Sequence, residues 1–275
     1  MYMQIGDIVT RQSYDNDIQF VIETIIGDQA ILSGLYYRLQ ADALINDLVI
    51  CNIQDETPSV EDSPPINNYY NLFATNFSLE RFLKDSILYH NCFVKVLHID
   101  SNKRYLQQCL DKYTEANIPV IGYNIKEQKQ PDQIEELLLQ YHPNILVITG
   151  HDSSSKEHPN SKNLEHYLNS KYFVKSIQAA RTYKQNYDDL VIISGGCKSC
   201  YEALIHAGAN YASSPDRVLV NVTDPVTIAC SIANTTIHEF VSMNSIASKL
   251  SFGLSEFGGV ETRGQCRDIT PPIYE

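Results

Sequence analysis

The chain has no tryptophan and only three methionines, and its 21 Lys and Arg stand against 33 Asp and Glu in 275 residues. A net charge of −12 argues against a nucleic-acid-binding surface, because phosphate binding needs a basic face. The shortage of positive charge is uneven: residues 1–66 hold two basic and eleven acidic side chains, nine of the twelve net negative charges. With no Trp, the 18 tyrosines are read as core and surface contacts, not as a base-stacking platform. No apolar run approaches the ~20 residues that span a bilayer. The segment Met1 to Asp7 has neither a basic stretch nor a long apolar one, so no signal peptide is expected. Cysteines 51, 92, 109, 197, 200, 230 and 266 are odd in number and fit reduced thiols in a cytoplasm, mostly small core residues. Only Cys197 and Cys200 form a close pair. His158, His166, His206 and His238 have no second ligand at metal-binding spacing, so neither a metal nor a cofactor is expected. His98 falls inside a strand and reads as core, and His142 precedes Pro143 at a helix end.

What is present is a 43% apolar content, enough for a packed core, in three segments. Residues 1–50 read as short strands: Asp17 to Thr24 is rich in β-branched and aromatic residues, with turns at Gly27-Asp28 and Ser33-Gly34. This predicts a small SH3-like β-barrel, whose acidity favours a basic partner if it binds one. Residues 51–90, with Pro58, Pro64 and Pro65, read as a linker ending in a short helix from about Leu79 to Tyr89. Residues 91–275 alternate strand and helix. Strands are predicted at Phe93–Ile99, Ile118–Tyr123, Asn144–Thr149, Leu190–Ser194 and Val218–Val222. Helices are predicted at Lys103–Ala116, Asp132–Tyr141, Tyr172–Tyr183 and Lys198–Ala207, with 225–250 mainly helical. Such alternation means an α/β fold with a mostly parallel sheet and helices on both faces.

Ligands of such sheets bind beyond the carboxyl ends of the strands. Two predicted strands end in reactive side chains, Thr149-Gly150-His151-Asp152 and Ser194-Gly195-Gly196-Cys197. A thiol between a strand and a helix sits near the helix's positive end, which lowers its pKa, and an imidazole nearby completes its activation. The 46-residue separation of His151 and Cys197 resembles that of caspases, whose His lies about 50 residues before the Cys. Gly195 and Gly196 let the backbone come close to a substrate.

Ile145 to Asp152, Ala207 to Arg217, Gln4 to Asp7, Lys95 to Asp100 and Gly258 to Gly264 together resemble the YabG family of sporulation-specific peptidases from endospore-forming bacteria. The resemblance spans nearly the whole chain. It implies a cysteine endopeptidase that trims spore coat and cortex-associated proteins after basic residues, mainly Arg, in the mother-cell cytoplasm or at the forming coat, and that cleaves itself. The positions matching the family's catalytic pair are His151 and Cys197. The strand-end pair also resembles the caspase–gingipain–clostripain clan, which implies a caspase-like sheet and an oxyanion hole made by the N–H groups of Cys197 and Asp152. This chain departs from that clan in carrying Asp152 after the His and glycines before the Cys, so no specificity acid carries over. An Arg pocket needs a carboxylate, and the candidates are Asp152, Asp216 and Asp224. Asp152 could instead orient His151, and Asp224 could cap a helix. Self-cleavage is expected at Arg263, in a Gly-flanked stretch read as mobile, or at Arg11.

Two other readings stand beside the peptidase. Cys197-Lys198-Ser199-Cys200 is a C-x-x-C at a strand-to-helix turn, the setting of a thiol–disulfide redox motif. A non-enzymatic spore coat scaffold would use the barrel and sheet for assembly. The peptidase reading places Cys200 about a turn into the helix that follows Cys197. Oligomeric state is not legible at this level.

Overall fold

The computed structural model describes residues 3–51 and 94–267. The predicted helix at Leu79–Tyr89 and the linker around it lie outside the described residues. The first part is an antiparallel sheet of β1 (Ile8–Arg11), β2 (Phe20–Ile26), β3 (Gln29–Gly34), β4 (Gln40–Leu44) and β5 (Leu48–Ile50), in the order β4-β3-β2-β1-β5. Alternation along β2 turns Phe20 and Ile22 inward, where they meet Val9, Ala30, Leu32 and Leu48. Gly27-Asp28 makes the expected two-residue turn, since Ile26 pairs with Gln29 and Gly27 has φ +63°. Ser33-Gly34 does not turn; it closes β3, and the reversal follows in the loop 35–39.

The second part is a six-stranded sheet of β6 (Val96–Asp100), β7 (Val120–Asn124), β8 (Ile145–Thr149), β9 (Val191–Gly195), β10 (Tyr211–Ser213) and, beyond the short β11 (Phe240–Val241), β12 (Phe257–Gly259). Its order is β12-β10-β9-β8-β6-β7, parallel throughout except for the antiparallel outer strand β12. A last short strand, β13 (Thr262–Arg263), pairs with β11. The helices are α1 (Lys103–Glu115), α2 (Gln130–Tyr141), α3 (Ser170–Tyr183), α4 (Tyr201–His206), α5 (Asp224–Ala233) and α6 (Met243–Ala247). Asn102 starts α1 by accepting the N–H groups of Arg104 and Tyr105.

The central strands are buried on both faces, so each contributes alternate residues to two cores. Val96, Val147 and Ile193 face α1 and α5, where they meet Tyr105, Tyr113, Ile228 and Ile232. Leu97, Leu146 and Ile192 face α2, α3 and α4, where they meet Ile134, Phe173, Ile177 and Leu204. His98 points to the first face and is fully buried between the Tyr113 hydroxyl and Thr149 Oγ1.

Two predicted elements move. Val218–Val222 is no strand of the sheet; the fifth parallel strand is Tyr211–Ser213, which pairs with Ile193 and Ser194. The stretch 218–222 bonds elsewhere, through an isolated bridge from Asn221 to Tyr37 of the N-terminal part. β-branched composition alone cannot tell a ladder strand from a segment paired to a loop. The helix predicted from Lys198 begins only at Tyr201, because Lys198 sits in the left-handed region at φ +56° and interrupts it.

Candidate active site

Chain order and sheet order diverge at β6: β7 lies on one side of it and β8 on the other. Such a switch point opens a crevice at the carboxyl ends of the strands. Ser101 follows β6, Glu127 follows β7, His151 follows β8 and Cys197 follows β9. β8 and β9 are neighbours paired in register, Thr149 to Gly195, so His151 and Cys197 each stand two residues beyond a matched pair.

The two strand-end turns touch. A Cβ on Gly196 would lie 2.2 Å from the Gly150 carbonyl oxygen, and one on Gly150 would lie 2.6 Å from Glu127 Oε1. Gly195 adopts φ +117°, a conformation that side chains avoid, and a Cβ there would strike Ser213. Both glycines before the Cys are therefore required by the turn itself.

His151 is held from one side. Its N–H donates to Glu127 Oε1 at 2.8 Å, its Nδ1 lies 3.8 Å from the same oxygen and 3.4 Å from Ser101 Oγ, and its ring rests against Tyr105. Its Nε2 is buried without a hydrogen-bond partner. Burial works to raise the Glu127 carboxyl, but hydrogen bonds from His151 and Ser101 outweigh it and hold it below its ordinary value. Glu127 was not singled out in the sequence; its only signal is an acid just past a parallel strand.

Cys197 is fully buried on the α1–α5 face. Its Sγ accepts the Val220 N–H at 3.3 Å. Burial pushes the thiol up to about 12, against the smaller pull of that N–H and of Arg38. The expected lowering by a helix end is not found: α4 starts four residues on and has six residues, too little and too far to offset the loss of water. Cys200 is not a turn into the helix. It is the residue before α4, its N–H donates to Ser170 Oγ, and its thiol approaches the Lys162 carbonyl. Both thiols are free.

The three candidate acids serve other ends. Asp152 is buried and accepts from Ser170 Oγ, Ser199 Oγ, and the N–H groups of Ser153 and Asn169. Ser199 Oγ in turn accepts the Gly196 N–H, so Asp152 clamps the Cys197 turn to the His151 turn and leaves no oxygen turned to a ligand. Asp216 is exposed in the turn after β10. Asp224 opens α5, where its carboxylate accepts from Ser251 N–H and Oγ; the nearby Glu256 has a pKa raised to about 7, first by burial and then by Asp224. Arg263 lies in β13, paired with Phe240 and bonded to Asp188 and the Ile237 carbonyl, so the segment read as mobile is a strand. Arg11 lies in β1 with its guanidinium over Tyr14 and Phe20.

Burial raises the Asp152 pKa to about 6 in spite of its four donors. A raised carboxyl stabilises the fold in its protonated form, so this contribution is full below the ordinary value near 4 and is lost as the pH rises through about 6. Asp152→Asn is expected to cost more at pH 5 than at pH 7, by roughly 1–3 kcal/mol, measured by urea unfolding at the two pH values. An equal cost at both would count against the protonated form in the fold.

Parallel strands that end in a touching His turn and Cys turn define an α/β protein with its candidate site at the carboxyl edge of the sheet. The chain belongs to the YabG peptidase family: the family model described as YabG peptidase U57 matches residues 4–271. It is 37% identical over 290 aligned residues to the sporulation-specific protease YabG of Bacillus subtilis strain 168, covering 97% of each chain. No solved structure matches it. The protein is a peptidase, and its substrates are proteins.

Proposed function

We propose that the protein is a sporulation-specific cysteine endopeptidase that cuts after Arg, with Cys197 as nucleophile and His151 as general acid–base. The observation that carries this is the matched position of the two residues, each two steps beyond paired residues of adjacent strands. His151 offers its unpartnered Nε2 to the reaction, while Glu127 and Ser101 hold the Nδ1 side. Nε2 takes the Cys197 proton as sulfur attacks the carbonyl carbon, then gives it to the leaving amine as the C–N bond breaks. Water, deprotonated by the same nitrogen, cleaves the thioester and restores the thiol. The oxyanion falls to the N–H groups of Cys197 and Asp152; among the described residues neither finds an acceptor within the chain. Donors of this kind supply about 3 kcal/mol to the transition state.

The family and the named relative support a role in sporulation. Spore coat and cortex-associated proteins as substrates, action in the mother-cell cytoplasm or at the forming coat, a caspase-like sheet and an SH3-like N-terminal barrel all belong to this same reading. So does self-processing, but at Arg263 or Arg11 it requires a strand pair to open first. The redox reading rests on the C-x-x-C spacing alone, and the raised pKa of Cys197 weighs on it as much as on the peptidase reading. A fluorogenic peptide with Arg before the reporter is expected to be hydrolysed, and prior iodoacetamide treatment to stop it. Hydrolysis that survives complete alkylation of Cys197 would remove the thiol mechanism.

A further inference from the structure

The stretch that holds the Cys197 sulfur is paired with the N-terminal part. The loop joining β3 to β4 lies antiparallel to the stretch 218–222. The Arg38 N–H donates to the Val220 carbonyl at 3.0 Å, the Val222 N–H donates to the Tyr36 carbonyl at 3.1 Å, and Tyr37 faces Asn221. Val220 is also the residue whose N–H holds the Cys197 sulfur. The Arg38 side chain is fully buried, one of only two basic residues in the first 66. Its Nη1 pairs with Asp100 Oδ2, its Nη2 donates to the Val222 carbonyl at 2.8 Å, and its Nε has no partner. Asp100 ends β6, at the switch point of the sheet, and is fixed there by Thr149 Oγ1 and the Asn102 N–H.

We propose that Tyr36–Arg38 occupies the substrate cleft of the chain itself, with Arg38 where a substrate carries the residue before its scissile bond, and that Asp100 is the carboxylate selecting that arginine. This rests on the peptidase reading built on Cys197. Three features support it independently of one another. The alternate pairing, one N–H given by Arg38 and one C=O offered by Tyr36 two residues earlier, is how an extended peptide adds to an open strand edge. A guanidinium taken wholly out of water needs a paired carboxylate, and a fold that sought only stability there would be served as well by an apolar side chain. Asp100 is the one acid at the switch-point crevice that meets a guanidinium, whereas Asp152 and Asp224 are turned to serines and Asp216 to solvent. The loop is also closed on itself: Gly34 N–H bonds the Leu39 carbonyl at 2.7 Å, and the Tyr105 hydroxyl donates to the Gly34 carbonyl at 2.7 Å. The chain on either side of Arg38 is therefore held in the β3–β4 ladder. The full chain is thus a self-occluded enzyme, and an outside substrate enters only as the loop leaves.

The test uses the full chain as wild type, Arg38→Ala, and Arg38→Ala with Asp100→Asn, each checked for folding by circular dichroism. Initial rates are read on two peptides that carry Arg or Gln before the reporter. Arg38→Ala is expected to raise the initial rate on the Arg peptide, and the rate of Cys197 alkylation by iodoacetamide, at least tenfold. Adding Asp100→Asn is expected to shrink the Arg-to-Gln preference about a hundredfold. An active Arg38→Ala that is no faster than wild type overturns the occupancy. A double variant that keeps its Arg preference overturns the role of Asp100. Should these variants not fold, wild type is treated with a peptidyl chloromethyl ketone ending in Arg. Labelling of Cys197 should then expose the Arg38 and Val222 amides to fast hydrogen exchange, and labelling that leaves both protected overturns the proposal. If folded forms cleave the peptides as fast after Cys197 is alkylated as before, the reading built on Cys197 falls and this inference with it.

Discussion

Cys197→Ala abolishes cleavage of an Arg peptide, a loss on the order of a thousandfold or more in kcat/KM, whereas Cys200→Ala keeps most of the activity. Only Cys197 stands at a strand end in step with His151. Cys200 lies beside α4 with its sulfur toward the Lys162 carbonyl, and its N–H is engaged by Ser170. His151→Ala matches the loss at Cys197, because the thiol then has no proton acceptor. A redox mechanism requires both cysteines for complete turnover. A folded Cys200→Ala that is as inactive as Cys197→Ala would therefore overturn the assignment, with activity and circular dichroism measured on the same samples.

Gly196→Ala is expected to be nearly as damaging, and for a different reason. The added methyl would stand 2.2 Å from the Gly150 carbonyl oxygen, backbone against backbone, with no side chain free to yield. The His151 and Cys197 turns must part, which costs about 1–3 kcal/mol of stability as overpacking. A shift of about 1 Å at the reacting atoms costs on the order of a hundredfold in rate. Gly253 is the control: it has φ +64° but nothing nearer its missing Cβ than Ala247 O at 3.7 Å. Gly253→Ala should cost only the strained backbone, about 1–2 kcal/mol, with activity intact. Thermal melts and peptide hydrolysis on both variants separate the two cases. Equal activity in both would mean that the turns are not locked together.

The parallel sheet and its helices were legible because β8 and β9 open on continuous apolar runs, and β6 is apolar except for His98 and Asp100, each followed by an amphipathic stretch, a pattern that needs no tertiary information. His151 and Cys197 were legible for the same reason, as the first reactive groups past two such runs. Contacts between distant parts of the chain were not. Val218–Val222 has the composition of a strand, yet its partner is a loop some 180 residues earlier, and nothing local encodes that pairing. Glu127 faces His151 only because β7 and β8 flank β6. The acid sought for arginine was looked for near the Cys, while the carboxylate that meets a guanidinium, Asp100, lies at the end of the first strand of the sheet. The thiol's environment escapes the local rule of helix ends, because the sheet, α1 and α5 bury it.

The antiparallel outer strand β12 bears on what a trimmed chain would be. Residues Phe257–Gly259 lie along β10 and satisfy backbone groups that would otherwise face outward as a template for a second chain. A cut after Arg263 falls beyond β12, so the product keeps this strand and gives up only the last residues, among them Gln265 and Cys266, which bond to Ile232 and Thr235. Removal of the carboxyl-terminal segment from any point before Phe257 would bare β10 along its length. The order of strands thus separates truncations that leave this flank of the sheet sealed from those that invite strand-to-strand aggregation.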